Sequence, residues 1–137
     1  MVSKGNSILV TGATGLVGSQ LCKELLKRGY SVHALSRSKK KMEGCTCFLW
    51  DIEAQEIDPK AFEGVSAIIH LAGAGVGDRR WTRHYKQQIY DSRIESTRLL
   101  INTLKTIDHN VISFISASAV GYYDDNGSEW ITEEAPL

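Results

Sequence analysis

Apolar residues along this chain fall alternately into short strand-like runs and helical stripes. Asn6-Ser7-Ile8-Leu9-Val10 reads as a buried strand. Leu16 to Arg28 follows as a helix, with Val17, Leu21 and Leu25 at helical spacing and Cys22 and Leu26 beside them. Gly29-Tyr30 stops it, and Ser31 to Leu35 reads as a second strand. Thr46 to Trp50 reads as a third. Asp58-Pro59-Lys60-Ala61-Phe62 looks like a short helix, with Asp58 as N-cap, Pro59 at the first position and Gly64 as the stop. Val65 to Ala72 is a strongly apolar fourth strand. Thr82 is placed to cap a long helix over Arg83 to Thr106, whose apolar side is marked by Tyr85, Ile89, Leu100, Leu104 and Ile107, with Ile94 and Thr97 between. Val111 to Ser116 reads as a fifth strand, and Asn126 to Leu137 as a polar, acidic loop. Strands alternating with helices predict an α/β fold, and the first βαβ unit must be parallel and right-handed.

Between the first strand and the first helix lies Val10-Thr11-Gly12-Ala13-Thr14-Gly15-Leu16-Val17-Gly18. Strand, glycine turn and helix are the context of a dinucleotide-binding loop. The spacing here is G-x-x-G-x-x-G. Gly12 suits the tight turn off the strand, Gly15 a close approach of backbone to a pyrophosphate, and Gly18 close packing of helix on strand. The N–H groups at the helix start then face the phosphates. A tight turn without a ligand is the plainer alternative.

The end of the second strand is where ribose selectivity is set: an acid there accepts the 2′-hydroxyl of NAD and repels a 2′-phosphate. This chain carries Ser36-Arg37-Ser38-Lys39-Lys40-Lys41 and no acid. Arg37 is suited to fork onto a 2′-phosphate, with Ser36 or Ser38 donating a hydrogen bond, which favours NADP(H) over NAD. The alternative is a solvated basic turn. Asp51, at the end of the third strand, has two readings, as an acid beneath an adenine or as a loop acid. The small residues Gly73-Ala74-Gly75-Val76-Gly77 after the fourth strand let a cofactor lie against backbone. His70, inside an apolar run, reads as a core or strand-end histidine rather than a catalytic one. Arg79, Arg80 and Arg93 are candidates to meet an anionic substrate or the cofactor phosphates, although salt-bridged surface arginine is the usual fate. Trp81 reads as packing.

Charge and cysteine content narrow the classes. Sixteen basic and sixteen acidic side chains cancel, so no global field points to nucleic acid or an anionic membrane. No apolar run approaches a membrane span, and the first strand is too short for a signal-peptide core. The three cysteines, Cys22, Cys45 and Cys47, lack zinc or thioredoxin-type spacing, so reduced thiols, no metal and a cytoplasmic setting are expected.

Three stretches stand in a telling order: Thr11-Gly12-Ala13-Thr14-Gly15-Leu16-Val17-Gly18, then His70-Leu71-Ala72-Gly73, then Ser116-Ala117-Ser118-Ala119-Val120-Gly121-Tyr122-Tyr123. Together they resemble the extended short-chain dehydrogenase/reductase superfamily, in its NAD(P)-dependent epimerase/dehydratase group. Arg80-Trp81-Thr82, Asp91-Ser92-Arg93-Ile94, Gly121-Tyr122-Tyr123 and Thr132-Glu133-Glu134 make the resemblance closer to the YfcH-type epimerase family proteins, often labelled sugar-nucleotide epimerases. The resemblance implies that Gly12, Gly15 and Gly18, helped by Thr14, Leu16 and Val17, cradle the pyrophosphate. It also implies that Arg37 selects NADP, that Ala72 and Gly73 line the nicotinamide-side ribose, and that Ser118 is the active-site serine, with Ser116 the second choice.

The superfamily's acid/base pair is a Tyr-x-x-x-Lys beyond this point, in which lysine lowers the tyrosine pKa. None occurs in residues 1–137: Tyr30, Tyr85, Tyr90, Tyr122 and Tyr123 all lack a lysine four places on. The expectation is therefore a Rossmann-type, doubly wound parallel sheet of strand order 3-2-1-4-5, ending after its fifth strand. Its role would be the NADP(H)-binding portion of an oxidoreductase or epimerase-like protein, inactive alone. A non-catalytic dinucleotide-binding module is the alternative. The expected partners are the dinucleotide and an unidentified small molecule, with no nucleic acid and no membrane. The uncovered fifth strand makes self-association an expectation too.

Overall fold

The computed structural model describes residues 6–38, 41–118 and 127–134. Its elements in chain order are β1 (Ser7–Thr11), α1 (Leu16–Lys27), β2 (Ser31–Ser36), β3 (Cys45–Asp51), β4 (Glu56–Ile57), a 3₁₀ turn (Pro59–Phe62), β5 (Val65–His70), α2 (Arg83–Thr106) and β6 (Ser113–Ser116). The strands form one sheet in the order β4-β3-β2-β1-β5-β6. All pairings among β1, β2, β3, β5 and β6 are parallel, which is the expected 3-2-1-4-5 arrangement. One strand was not expected. β4 folds back antiparallel on β3, pairing Trp50 with Ile57 and Asp51 with Glu56. The reversal passes through Gln55, which adopts φ 55°.

Both faces are covered at the centre of the sheet, so the central strands are apolar on both sides. Successive β1 side chains point to opposite faces. Ile8 and Val10 join Val32, Ala34, Cys22 and Leu25 beneath α1. Leu9 joins Leu35, Trp50, Val65 and Ile68 beneath Leu99 and Leu100 of α2, with Ala61 and Phe62 of the 3₁₀ turn closing the same core.

The ends of the elements follow from local hydrogen bonding. Asp58 caps the 3₁₀ turn by accepting from the Lys60 N–H at 3.0 Å, and Gly64 leaves it with φ +68°. Thr82 caps α2 by accepting from the Tyr85 N–H at 3.1 Å. β5 ends at His70, two residues before the expected boundary. The Leu71 and Ala72 N–H groups leave the ladder and donate instead to the Thr11 hydroxyl, each at 3.0 Å. β6 begins at Ser113, two residues later than expected. The buried side of α2 also differs from the expected stripe. It consists of Tyr85, Ser96, Leu99, Leu100 and Thr103, whereas Ile89, Ile94, Leu104 and Ile107 are only half-buried. Small hydroxyl residues let the helix approach the sheet, and Thr103 satisfies its hydroxyl on the Leu99 carbonyl at 2.8 Å.

Candidate functional site

Parallel strands gather their carboxyl ends at one edge of the sheet, the edge at which such folds bind ligands. Thr11, Ser36, Asp51, His70 and Ser116 are the last residues of β1, β2, β3, β5 and β6. The segments that leave these ends carry nearly every residue singled out in the sequence.

The glycine loop leaves β1 through Gly12 at φ +67°. A β-carbon there would lie 2.8 Å from the Leu71 carbonyl carbon, so the turn is closed against the β5 segment as well as left-handed. A β-carbon on Gly18 would lie 2.1 Å from the Gly12 carbonyl oxygen, and one on Gly15 would lie 3.2 Å from that oxygen. All three glycines therefore form one folded unit around the Gly12 carbonyl. The Gly15 N–H donates to that carbonyl at 3.0 Å, and the Ser19 N–H donates to Gly15 at 2.9 Å. The amides of Leu16, Val17 and Gly18 belong to the first helical turn and have no acceptor within the helix. Around them Thr14 and Gly15 are exposed, and the large apolar side chains Leu16 and Val17 stand 92% and 66% exposed.

At the end of β2, Ser36 accepts a hydrogen bond from the Ser38 N–H at 3.3 Å, a turn that leaves Arg37 exposed. Asp51 is exposed, and one carboxylate oxygen accepts from the Ala54 N–H at 2.9 Å, so it holds the turn into β4. Arg37 and Asp51 nonetheless line one cleft of about 740 Å³ together with Trp50, Ile57 and Pro59. Lys39 and Lys40 lie outside the described residues.

The segment after β5 is fastened to α2. The Ala74 N–H donates to the Ser92 hydroxyl at 2.9 Å, and the Tyr85 hydroxyl donates to the Gly75 carbonyl at 2.6 Å. Arg93 donates to the carbonyls of Ala74 and Ile89, both at 3.1 Å. Its guanidinium also packs on Gly73, where a β-carbon would lie 3.0 Å from the guanidinium carbon. Among the described residues Arg93 is thus engaged by backbone carbonyls and not by a salt bridge. Arg79 lies over the Tyr85 ring at 5.9 Å, and Arg80 is exposed. Trp81 is 57% exposed, with its indole N–H donating to the Val76 carbonyl at 2.6 Å. Half-buried Ala72 and exposed Gly73 begin this segment beside Gly12.

Ser118 is exposed, two residues beyond β6, and the Ala117 N–H donates to the His70 carbonyl at 3.1 Å. That bond ties the Ser118 segment to the end of β5. Gly121, Tyr122 and Tyr123 lie outside the described residues. His70 is a core histidine, 4% exposed, and burial pushes its pKa down from the ordinary value. Its partners are Thr11, Ser96 and Thr97, and sequence reading gave none of the three a bond to it. Among the described residues no group of His, Cys, Asp and Glu side chains converges to hold a metal, and no helix is long and apolar enough to cross a membrane.

A family model described as the NAD dependent epimerase/dehydratase family matches residues 8–137. The chain belongs to this family. Curated relatives are named epimerase family proteins. An epimerase family protein of Mycobacterium bovis is 32% identical over 126 residues, which are 92% of this chain and 40% of the relative. One of Staphylococcus haemolyticus is 34% identical over 133 residues, covering 92% of this chain and 42% of the relative. Among solved structures, a human epimerase family protein with NADPH matches at TM-score 0.78 and 28% identity, over 95% of this chain and 42% of that one. A short-chain dehydrogenase/reductase superfamily protein from Agrobacterium tumefaciens with bound NAD matches at TM-score 0.71 and 26% identity, over 96% and 38%. This epimerase/dehydratase family chain therefore spans roughly two fifths of the length of the relatives it matches.

Proposed function

We propose that residues 1–137 form the NADP(H)-binding, N-terminal part of a Rossmann-type domain of an oxidoreductase or nucleotide-sugar epimerase-like protein. The observation that carries this reading is the folded glycine loop. Gly12 and Gly18 occupy positions that a β-carbon would close, and a helix start with free amides opens beside them. These residues fit a pyrophosphate. Arg37 supports NADP over NAD, because it is an exposed cation at the end of β2 with no acid beside it in sequence. Ala72 and Gly73 would line the nicotinamide-side ribose, and Asp51 would border the adenine. The bound dinucleotide would supply hydride transfer at its nicotinamide, and Ser118 would polarise the substrate oxygen. Structural relatives with NADPH and with NAD support a nicotinamide dinucleotide.

The chain by itself should not turn over substrate, since residues 1–137 hold no Tyr-x-x-x-Lys to act as general acid and base. A second reading is a dinucleotide-binding module without catalysis, which would use the same glycine loop and Arg37. Self-association belongs to the proposal as well. β6 ends the sheet among the described residues, and Ile112 and Ile115 are 89% and 53% exposed there. A cytoplasmic setting is consistent with the three free thiols.

Arg37→Ala tests the cofactor preference. NADPH affinity should fall about tenfold, the loss of one charge-assisted pair, while NADH affinity stays unchanged. Equal loss for both cofactors, or for neither, would count against the role given to Arg37.

A further inference from the structure

The hydroxyl of Thr11 has more hydrogen bonds than a passive core residue needs. It lies 3.0 Å from the Leu71 N–H and 3.0 Å from the Ala72 N–H, both of which donate to it. It lies 2.7 Å from Nδ1 of His70. A hydroxyl has two lone pairs and one hydrogen. The two amides take the lone pairs, so the hydrogen goes to Nδ1, which must be bare. The neutral ring then carries its proton on Nε2. The far side of the ring accommodates that tautomer. Nε2 lies 3.2 Å from both the Ser96 and the Thr97 hydroxyl oxygens. Each of those hydroxyls donates its own hydrogen to the Arg93 carbonyl, at 3.2 Å from Ser96 and 2.7 Å from Thr97. In that arrangement both offer lone pairs to the Nε2–H that the Thr11 side assigns.

We infer that His70 is a positioning residue for dinucleotide binding: held as the Nε2–H tautomer, it orients the Thr11 hydroxyl so that the glycine loop and the Leu71-Ala72-Gly73 segment are locked in one register. The inference rests on the nucleotide-binding reading above. Its geometric warrant is that Thr11 is the last residue before Gly12, whereas the amides it receives belong to the segment that closes on Gly12. The chain of bonds runs in one direction, from the Leu71 and Ala72 amides through Thr11, His70 and the two hydroxyls to the Arg93 carbonyl. Arg93 in turn holds Ala74. Two loops from different strands are thereby referenced to α2 through a single imidazole.

Among the described residues the groups that face the ring are Thr11 from β1, Ser96 and Thr97 from α2, and the Phe114 ring of β6 at 6.1 Å. None of these is charged. Burial is what moves the His70 pKa down, so the neutral ring persists under ordinary conditions.

Two arms test the inference. The first needs no cofactor: imidazole ¹⁵N shifts of the whole chain report the tautomer, and amide exchange reports Leu71 and Ala72. The Nε2–H form is expected, with both amides protected. Thr11→Val should lose that protection and Thr11→Ser should keep it. A ring protonated on Nδ1, or amides equally protected in Thr11→Val, would overturn the proposal. The second arm is NADPH titration of folded variants. His70→Asn retains an acceptor near Nδ1 and should bind within about threefold of the parent, whereas His70→Gln should bind about tenfold more weakly. A merely structural role predicts instead that affinity is unchanged in both variants while thermal stability falls. That result overturns the positioning role even if the tautomer is as assigned. If the unsubstituted chain binds neither NADPH nor NADH, the nucleotide-binding reading fails and the positioning role goes with it. The tautomer result then still stands as a separate observation.

Discussion

A β-carbon at Gly18 would sit 2.1 Å from the carbonyl oxygen of Gly12, closer than any two such atoms can stand. Gly18 lies in the first turn of α1, and Gly12 is the first residue after β1. The contact is between backbones, so no side chain can rotate away to relieve it. Gly18→Ala must therefore displace the loop or the start of the helix. It should cost about 1–3 kcal/mol in denaturant unfolding and abolish measurable NADPH binding.

Gly29→Ala is the matching control. Gly29 also has a left-handed conformation, φ +83°, but a β-carbon there meets nothing within 4 Å. Only the conformational penalty remains, about 1 kcal/mol. The same unfolding experiment should show that smaller loss, and NADPH affinity should be unchanged.

Stability should decline toward both acid and alkali, for two buried groups of opposite sense. Burial pushes the His70 imidazole below its ordinary 6.5, so the unfolded chain takes up a proton more readily than the folded one. That contribution is whole above about 6.5 and is lost as pH falls toward the folded-state value. The Cys22 thiol, pushed from 9.0 up to about 12 by burial first and by the neighbouring Cys45 thiol second, behaves in reverse. The unfolded chain loses that proton first, so the contribution is whole below 9.0 and fades as pH rises toward 12. Urea midpoints measured across this range should fall on both sides. His70→Asn should flatten the acid limb alone.

The same thiol should resist alkylation in the native state. Cys22 is 2% exposed, and a shift from 9.0 to about 12 reduces its thiolate roughly a thousandfold. Mass spectrometry after mild iodoacetamide treatment should find label on Cys45 and Cys47 before any on Cys22. Early labelling of Cys22 would show that α1 lifts from the sheet.

Sedimentation velocity should show association that grows with concentration, and Ile115→Lys should suppress it. Ile115 pairs with Ile69 in register but is 53% exposed. A charge there blunts an open sheet edge. A parent chain that stays monomeric at all concentrations would remove self-association from the account.

The long periods were legible in the sequence. The helix over Arg83–Thr106 appears with the boundaries its Thr82 cap and apolar spacing predicted, and the five parallel strands take the expected order. β4 was not legible, because two residues carry no period and its antiparallel pairing depends on a turn at Gln55. Ser96 and Thr103 were missed for another reason. A polar residue reads as solvent-facing, yet each satisfies its hydroxyl on the carbonyl three or four residues earlier and can then be buried. The glycine loop was recognisable from its spacing together with the strand before it and the helix after it. Its closure against Leu71 was not, because the two are about sixty residues apart and only the sheet brings them together. Asp51 was ambiguous in sequence. The structure gives it a turn to hold without removing it from the cleft it shares with Arg37.

The central claim is that the glycine loop and Arg37 bind a 2′-phosphorylated dinucleotide. Its most direct test is a titration of the chain with NADPH and, separately, NADH, following energy transfer to the reduced nicotinamide. The donors are Trp50, buried in the core, and Trp81 and Trp130, which are 57% and 97% exposed. The account predicts saturable quenching by NADPH and much weaker binding of NADH. Equal affinity for the two would contradict the role of Arg37, and no binding of either would contradict the nucleotide-binding reading itself.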